Sequence, residues 1–138
     1  MTLFDLSGRV AVVTGGNGGI GFGMAKGLAV AGASIAVAAR NTEKAEAAVA
    51  ALGAGSNFIA LDVADESSCK ALIDETVARY GRLDILVNNA GTSIRKPPED
   101  YTAAEWHTVL DTNLTGALFC SQAAARFLHR GVGGLRTE

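Results

Sequence analysis

The first residues with a chemical reading are glycines. Thr14-Gly15-Gly16-Asn17-Gly18-Gly19-Ile20-Gly21 follows Val10–Thr14, a short apolar run rich in β-branched side chains, and leads into a helical pattern over residues 20–31. A continuous apolar run of this length reads as a strand buried on both faces. Glycines let a backbone bend tightly and let a pyrophosphate come close. A helix N-terminus adds unpaired N–H groups and a partial positive charge. The stretch therefore has the layout of a phosphate-binding turn. It is not a P-loop, because no Gly-Lys-Ser/Thr follows Gly15 or Gly16 at the required spacing. Nor does it match G-x-G-x-x-G set directly after a strand.

Other residues offer chemistry at longer range. Asp62-Val63 and Asn88-Asn89-Ala90-Gly91 each close an apolar run. Asn88 and Asn89 suit a turn in which side-chain amides bond backbone, and Asp62 suits a cap. Arg40 follows the run at residues 34–39. It can pair with a phosphate bidentately, or stand as a solvated loop charge. Arg95 and Lys96 sit in Gly91-Thr92-Ser93-Ile94-Arg95-Lys96-Pro97. A solvated pair is the plainer reading there, and a carboxylate-binding pair the sharper one. Asn113, in Asp111-Thr112-Asn113, falls inside a helical pattern, where an asparagine can simply bond backbone. His107 and His129 have no partner at metal or triad spacing, so no metal site is expected. Cys69, Cys120 and Trp106 read as ordinary helix or packing residues.

The elements that must position these residues alternate regularly. Strands are predicted at residues 10–14, 34–39, 57–61 and 83–87. Helices are predicted at about 20–31, from an Asn41 or Thr42 cap to about 52, from an Asp65 cap to about 80, and from a Thr102-Ala103-Ala104-Glu105 capping box to about 130–131. The last helix carries apolar residues at Val109, Leu110, Leu114, Ala117, Leu118 and Ala125. The order βαβαβαβα with buried strands predicts an α/β fold. It is a doubly wound parallel sheet with right-handed crossovers, helices on both faces and strand order 3-2-1-4. Its ligand would lie at the carboxyl ends of strands one and four. Residues 1–130 are expected to form this partial domain, and residues 131–138 a short irregular tail.

Composition bounds the partners. The chain has 138 residues, 49% hydrophobic and 19% charged, with a net charge of −2 and no basic stripe, so neither nucleic acid nor an anionic membrane is expected. Two cysteines argue against a disulfide framework. The N-terminus has no apolar core of a signal peptide, and no run is long enough to span a membrane. A cytoplasmic location is expected.

Thr14-Gly15-x-x-x-Gly19-Ile20-Gly21, Asp62-Val63, Asn88-Asn89-Ala90-Gly91 and Asn113, in this order on matching elements, resemble the short-chain dehydrogenase/reductase family over residues 4 to about 130. The resemblance implies a truncated Rossmann-type domain and an NAD(P)(H)-dependent oxidoreductase acting on an alcohol or carbonyl. It implies cofactor contacts from Thr14, Gly15, Asn17, Gly18, Gly19, Ile20, Gly21, Arg40, Asp62, Val63, Asn89, Ala90 and Gly91. Asp62 would accept from the adenine amino group, and Val63 would pack on the ring. Ala39 stands where relatives that use NAD carry an acid, so Arg40 favours NADP(H) over NAD(H). Gly18 stands where other NADP-using relatives carry a base, so only one of two such markers is present. Asn113 matches the family's catalytic asparagine. Arg95 would lie beside the nicotinamide end, in a loop similar to those of the gluconate and deoxygluconate dehydrogenases.

The family's catalytic Ser, Tyr and Lys have no counterpart here. Tyr80 is followed four residues on by Asp84, and Tyr101 by Glu105. The expectation is a truncated or frame-shifted product, inactive alone, or a non-catalytic NADP(H)-binding fragment. A small-molecule substrate would enter only if a missing half completed the site. Strand four would be an apolar edge and the last helix would leave apolar surface uncovered, so self-association is expected.

Overall fold

The computed structural model describes residues 2–128. Four parallel strands form one sheet in the order β3-β2-β1-β4: β1 Val10–Thr14, β2 Ser34–Ala39, β3 Asn57–Ala60 and β4 Ile85–Val87. Five helices join and flank them: α1 Gly19–Val30, α2 Thr42–Leu52, α3 Glu66–Tyr80, α4 Ala103–Leu110 and α5 Gly116–Leu128. This is the expected Rossmann-type order.

Period-two alternation divides the core between the two faces of the sheet. Ala11 and Val13 of β1, with Ile35, Val37 and Ala39 of β2, turn toward Ala25 of α1 and Ala45 of α2. Val12, Ala36 and Ala38 turn the other way, toward Cys69, Leu72 and Ile73 of α3 and Cys120 and Ala124 of α5. β1 is buried along its whole length because it has a neighbour on each side and helices on both faces. Alanines at Ala25, Ala36, Ala38 and Ala45 let the helices come close to the sheet. The larger Ile35, Val37 and Leu72 fill the space between, each contributing about 2–3 kcal/mol by burial.

Local chemistry sets the helix ends. The Asn41 side chain accepts from Lys44 N at 2.9 Å and starts α2. Asp65 accepts from Ser67 N at 3.0 Å and starts α3, which Gly81 ends in the left-handed conformation. Thr102 and Glu105 form the expected capping box of α4. α1 differs. Its N-cap is Gly18, with extended backbone, no capping side chain and no acid in the first turn. Its first N–H groups are thus left for something else.

Strand ends differ from expectation at two places. β4 begins at Ile85 rather than Leu83, because the Asp84 carboxylate takes the Val10 N–H at 2.9 Å where a ladder carbonyl would otherwise stand. β3 ends at Ala60 rather than Leu61, although Leu61 N still donates to Ala39 O at 3.1 Å.

The larger correction concerns the last helix, expected as one element from the Thr102 capping box to about residues 130–131. It is two helices joined by a π turn at Asp111–Thr115. The extra residue in that turn shifts the helical phase. The packed stripe of α5 is therefore Gly116, Cys120 and Ala124, while Leu114 and Leu118 of the expected apolar stripe face outward, 66% and 52% exposed. Gly116 is required at the junction, since a Cβ there would collide with the Val63 side chain and stand 2.7 Å from Val63 O. The expected helix end at residues 130–131, the tail at 131–138 and His129 lie outside the described residues.

Candidate functional site

The strand order reverses between β1 and β4. The chain leaves β1 toward β2 on one side, while β4 lies on the other, and the loops after β1 and β4 part at their carboxyl ends. Such a switch point opens a crevice. Here the loops are tied together beneath it by Thr14, whose side chain is 1% exposed. Thr14 Oγ1 accepts from Asn89 N at 3.0 Å and Ala90 N at 2.9 Å, and donates to Val87 O at 3.3 Å. Asn89 answers from the other side: its Nδ2 donates to Thr14 O at 3.1 Å and Gly15 O at 3.3 Å. Gly15 N donates to Ala38 O at 2.7 Å, which binds β2 into the same knot.

The glycines follow from this knot. Gly15 has φ +64°, and a Cβ on it would press on Asn89 Nδ2 at 3.1 Å and Ala90 Cα at 3.2 Å. A Cβ on Gly21 would collide with Gly15 O and Asn89 Nδ2. α1 can thus start directly under the turn. Gly19 (φ +55°) has open space where its Cβ would be, and Ile20 is 75% exposed.

Above the knot lies a cleft of about 450 Å³. Of the expected residues, Gly15, Asn17, Arg40, Asp62, Val63, Ala90 and Gly91 line it. Thr14, Asn89 and Gly21 lie below and support it. Toward β2 the cleft is lined by the small Ala38 and Ala39, and Arg40 stands exposed at its rim. Asp62 uses one oxygen, Oδ1, to accept from Ala64 N at 3.1 Å, and its own N–H donates to Ser68 Oγ at 2.9 Å. Thr108, Asp111 and Thr112, from α4 and the π turn, close the side opposite β2. These three were missed by sequence reasoning. Their only sequence signal is Thr108 and Thr112 at helical spacing beside Asn113.

Asn113 lies just outside the cleft and grips its wall. Its Oδ1 accepts from Thr92 N at 2.7 Å and its Nδ2 donates to Thr92 O at 2.9 Å. Gly91 fits against it, since a Cβ there would stand 3.3 Å from Asn113 Oδ1. Asn88 faces away from the knot and donates to Ser121 Oγ at 3.0 Å, which ties β4 to α5.

The basic pair separates. Lys96 bonds Glu105 Oε1 at 2.8 Å and Asp100 O at 3.3 Å, and lies 6.0 Å over the Tyr101 ring. Its ammonium, with the capping bonds of Thr102, holds the Glu105 carboxyl below its usual pKa. Lys96 is therefore fixed to the start of α4. Arg95 is exposed, makes no ion pair among the described residues and does not line the cleft.

Trp106 does not pack as expected. It is 57% exposed, on the rim of a shallow apolar groove with Ile94, Pro98, Tyr101 and Val109. Two-turn α4 touches the loop before it with one face, and nothing among the described residues covers the other. Cys69 and Cys120 are fully buried with their thiols together. Burial raises both pKa values, that of Cys120 to about 12, so neither is a nucleophile.

Among the described residues no group of three or more His, Cys, Asp or Glu is gathered as a metal site, and no helix is long and apolar enough to cross a membrane. Tyr80 bonds Gly55 O at 2.9 Å, at the end of the sheet away from the cleft. The Tyr101 hydroxyl donates to Ile94 O. Neither phenol opens into the cleft.

Known proteins resemble this chain in sequence and in fold. The D-threitol dehydrogenase of Mycolicibacterium smegmatis is 41% identical over 136 residues, 96% of this chain and 52% of that protein. The 2-dehydro-3-deoxy-D-gluconate 5-dehydrogenase of Dickeya dadantii is 39% identical over 137 residues, 97% of this chain and 54% of that protein. Among solved structures, the Pseudomonas aeruginosa RhlG/NADP active-site complex superposes with a TM-score of 0.88 at 36% identity, over 95% of this chain and 52% of that one. The chain thus spans about half the length of the curated relatives it matches. A family model for short chain dehydrogenase matches residues 9–135, and with the strand order and fold in agreement, the chain belongs to the short chain dehydrogenase family.

Proposed function

We propose that residues 1–130 are the nucleotide-binding part of an NADP(H)-dependent oxidoreductase acting on an alcohol or carbonyl, with a sugar or sugar acid as its substrate class. The observation that carries this reading is the cleft over the Thr14–Asn89 knot, with its phosphate-ready glycine turn and an unfilled wall at Ala38 and Ala39. The uncapped N-terminus of α1 suits a pyrophosphate. Asp62 keeps Oδ2 for an adenine amino group, and Val63 offers an apolar face. Arg40, with neutral Ala39 before it, favours a 2′-phosphate. The residues fit a dinucleotide, whose nicotinamide would supply hydride transfer when bound.

Asn113 holds the wall that the reactive end would pass, by its clamp on Thr92. The sugar-acid reading draws on the relatives' named activities and on the unpaired Arg95. A general acid or base for the substrate oxygen is not offered by Tyr80 or Tyr101, which are committed elsewhere. The chain alone is therefore expected to bind cofactor without turning substrate over.

Calorimetry with NADPH and NADH, beside NADPH oxidation with a panel of sugar and sugar-acid ketones, tests both parts. NADPH is expected to bind more tightly, with no turnover. Equal affinity for the two cofactors would overturn the NADP assignment, and turnover would overturn the argument from the tyrosines. Self-association through the outward Leu114, Leu118 and Trp106 and the free side of β4 is also proposed. It would show as a mass that rises with concentration in light scattering, and a constant monomer mass would refute it.

A further inference from the structure

We infer that Lys44 is a second specificity residue for the adenosine end, reaching from α2 to the glycine turn to hold the same 2′-phosphate as Arg40. The inference rests on the NADP(H) reading above and extends it to a residue on a different element. Lys44 is in the first turn of α2, and its side chain runs back across the mouth of the fold. A Cβ built on Gly18 would stand 3.1 Å from Lys44 Nζ and 3.3 Å from its Cε. The ammonium thus lies against the turn at Gly18, where the lack of a side chain lets it come close.

The charge it brings is otherwise missing there. Thr14 to Gly21 contains no cation, and the first turn of α1 contains no charge of either sign. Arg40 is on the cleft wall four residues before Lys44, at the end of β2. Neither Lys44 nor Arg40 forms an ion pair among the described residues, although Lys70, Arg79, Arg82 and Lys96 all do. Glu43 and Glu46, beside Lys44 on α2, form no ion pair with it. Arg40 lines the β2 corner of the cleft and Lys44 lies against Gly18 of the turn, two cations without an ion-pair partner among the described residues, and the nearby Asn17, Gly18 and Ala39 are neutral. A dianionic phosphate suits such a corner, and an unphosphorylated ribose makes no use of it.

The test uses adenosine 2′,5′-bisphosphate and adenosine 5′-monophosphate as probes, titrated into the whole chain by calorimetry at low salt. The wild-type chain should bind the bisphosphate more tightly. Lys44→Met should weaken bisphosphate binding by about tenfold and leave the monophosphate unchanged, and Lys44→Arg should restore most of the loss. The wild-type preference should also shrink with added salt. If Lys44→Met keeps the full preference while Arg40→Gln loses it, the Lys44 assignment is overturned and the NADP(H) reading stands. If the wild-type chain binds both probes equally, or neither, the NADP(H) reading fails and the Lys44 assignment with it. Lys44 is exposed and its side chain supports no packing, so the variants are expected to fold, which circular dichroism checks.

Discussion

The two sides of β1 are built to different standards. Toward β2 every strand residue but one is buried, the helices sit close on alanines, and the loops are locked by Thr14 and Asn89. Toward β4 the strand has three residues, all only half buried, and α4, the π turn and α5 turn Trp106, Leu114 and Leu118 outward. Both sides use apolar strands and helices of ordinary composition. What differs is the number of neighbours among the described residues. A strand paired on both edges and covered on both faces has its register and its side-chain directions fixed together, while an edge strand is fixed on one side only. The cleft lies on the boundary, with its β2 wall on the well-determined side and its α4 wall on the other.

The strongest way to break this contrast is at Gly21. Gly21→Ala should destabilise the chain by about 3 kcal/mol, since the new methyl group meets backbone at Gly15 as well as the Asn89 amide. A urea titration giving an unchanged midpoint would show that the knot yields easily. Thr14→Val comes next. It keeps the shape but strips the acceptor from Asn89 N and Ala90 N, at about 2 kcal/mol, and Thr14→Ser should recover most of that.

A smaller effect is expected at Asp84, which joins β4 to the rest of the sheet. Burial alone would raise its pKa, but the Arg82 guanidinium, the Val10 N–H and Arg9 together outweigh burial and lower it. A lowered folded-state pKa means that Asp84 adds stability above the unfolded carboxylate value of about 4, and loses it as pH falls through the lower folded value. Urea midpoints between pH 6 and pH 3 should therefore fall more steeply in the wild-type chain than in Asp84→Asn. Parallel curves would remove Asp84 from the account. Smallest of all in stability is Leu118→Gln on the outer face, within about 0.5 kcal/mol. It should still lower any self-association seen by sedimentation, and a stability loss as large as that of Thr14→Val would mean this face is better packed than its exposure indicates.

The same contrast governed what could be read from sequence. Val10–Thr14, the glycine turn and Ser34–Ala39 were legible to the residue, because buried parallel strands and a turn to a helix leave strong local marks. The π turn was not. Counting apolar positions assumes a constant residue number per turn, and the inserted residue at Asp111–Thr115 decides which of them pack, leaving Leu114 and Leu118 in solvent while Gly116, Cys120 and Ala124 are buried. Lys96 was legible as a charge but not as a strut, because its partner Glu105 was already explained by the capping box. Lys44 looked like any helix-surface lysine, and its approach to Gly18 depends on the packing of α2 beside α1, which no spacing along the chain encodes.

One hydroxyl ties the site together, and this has a consequence for its motions. Asn89 and Ala90 belong to a loop, yet both of their amide hydrogens are spent on Thr14, at the end of the most deeply buried strand. Their exchange with deuterium should follow the opening of β1, not the fluctuations of the loop around them. The floor of the cleft would then keep its shape through every motion short of unfolding, and adjustment to a guest would fall to the rim.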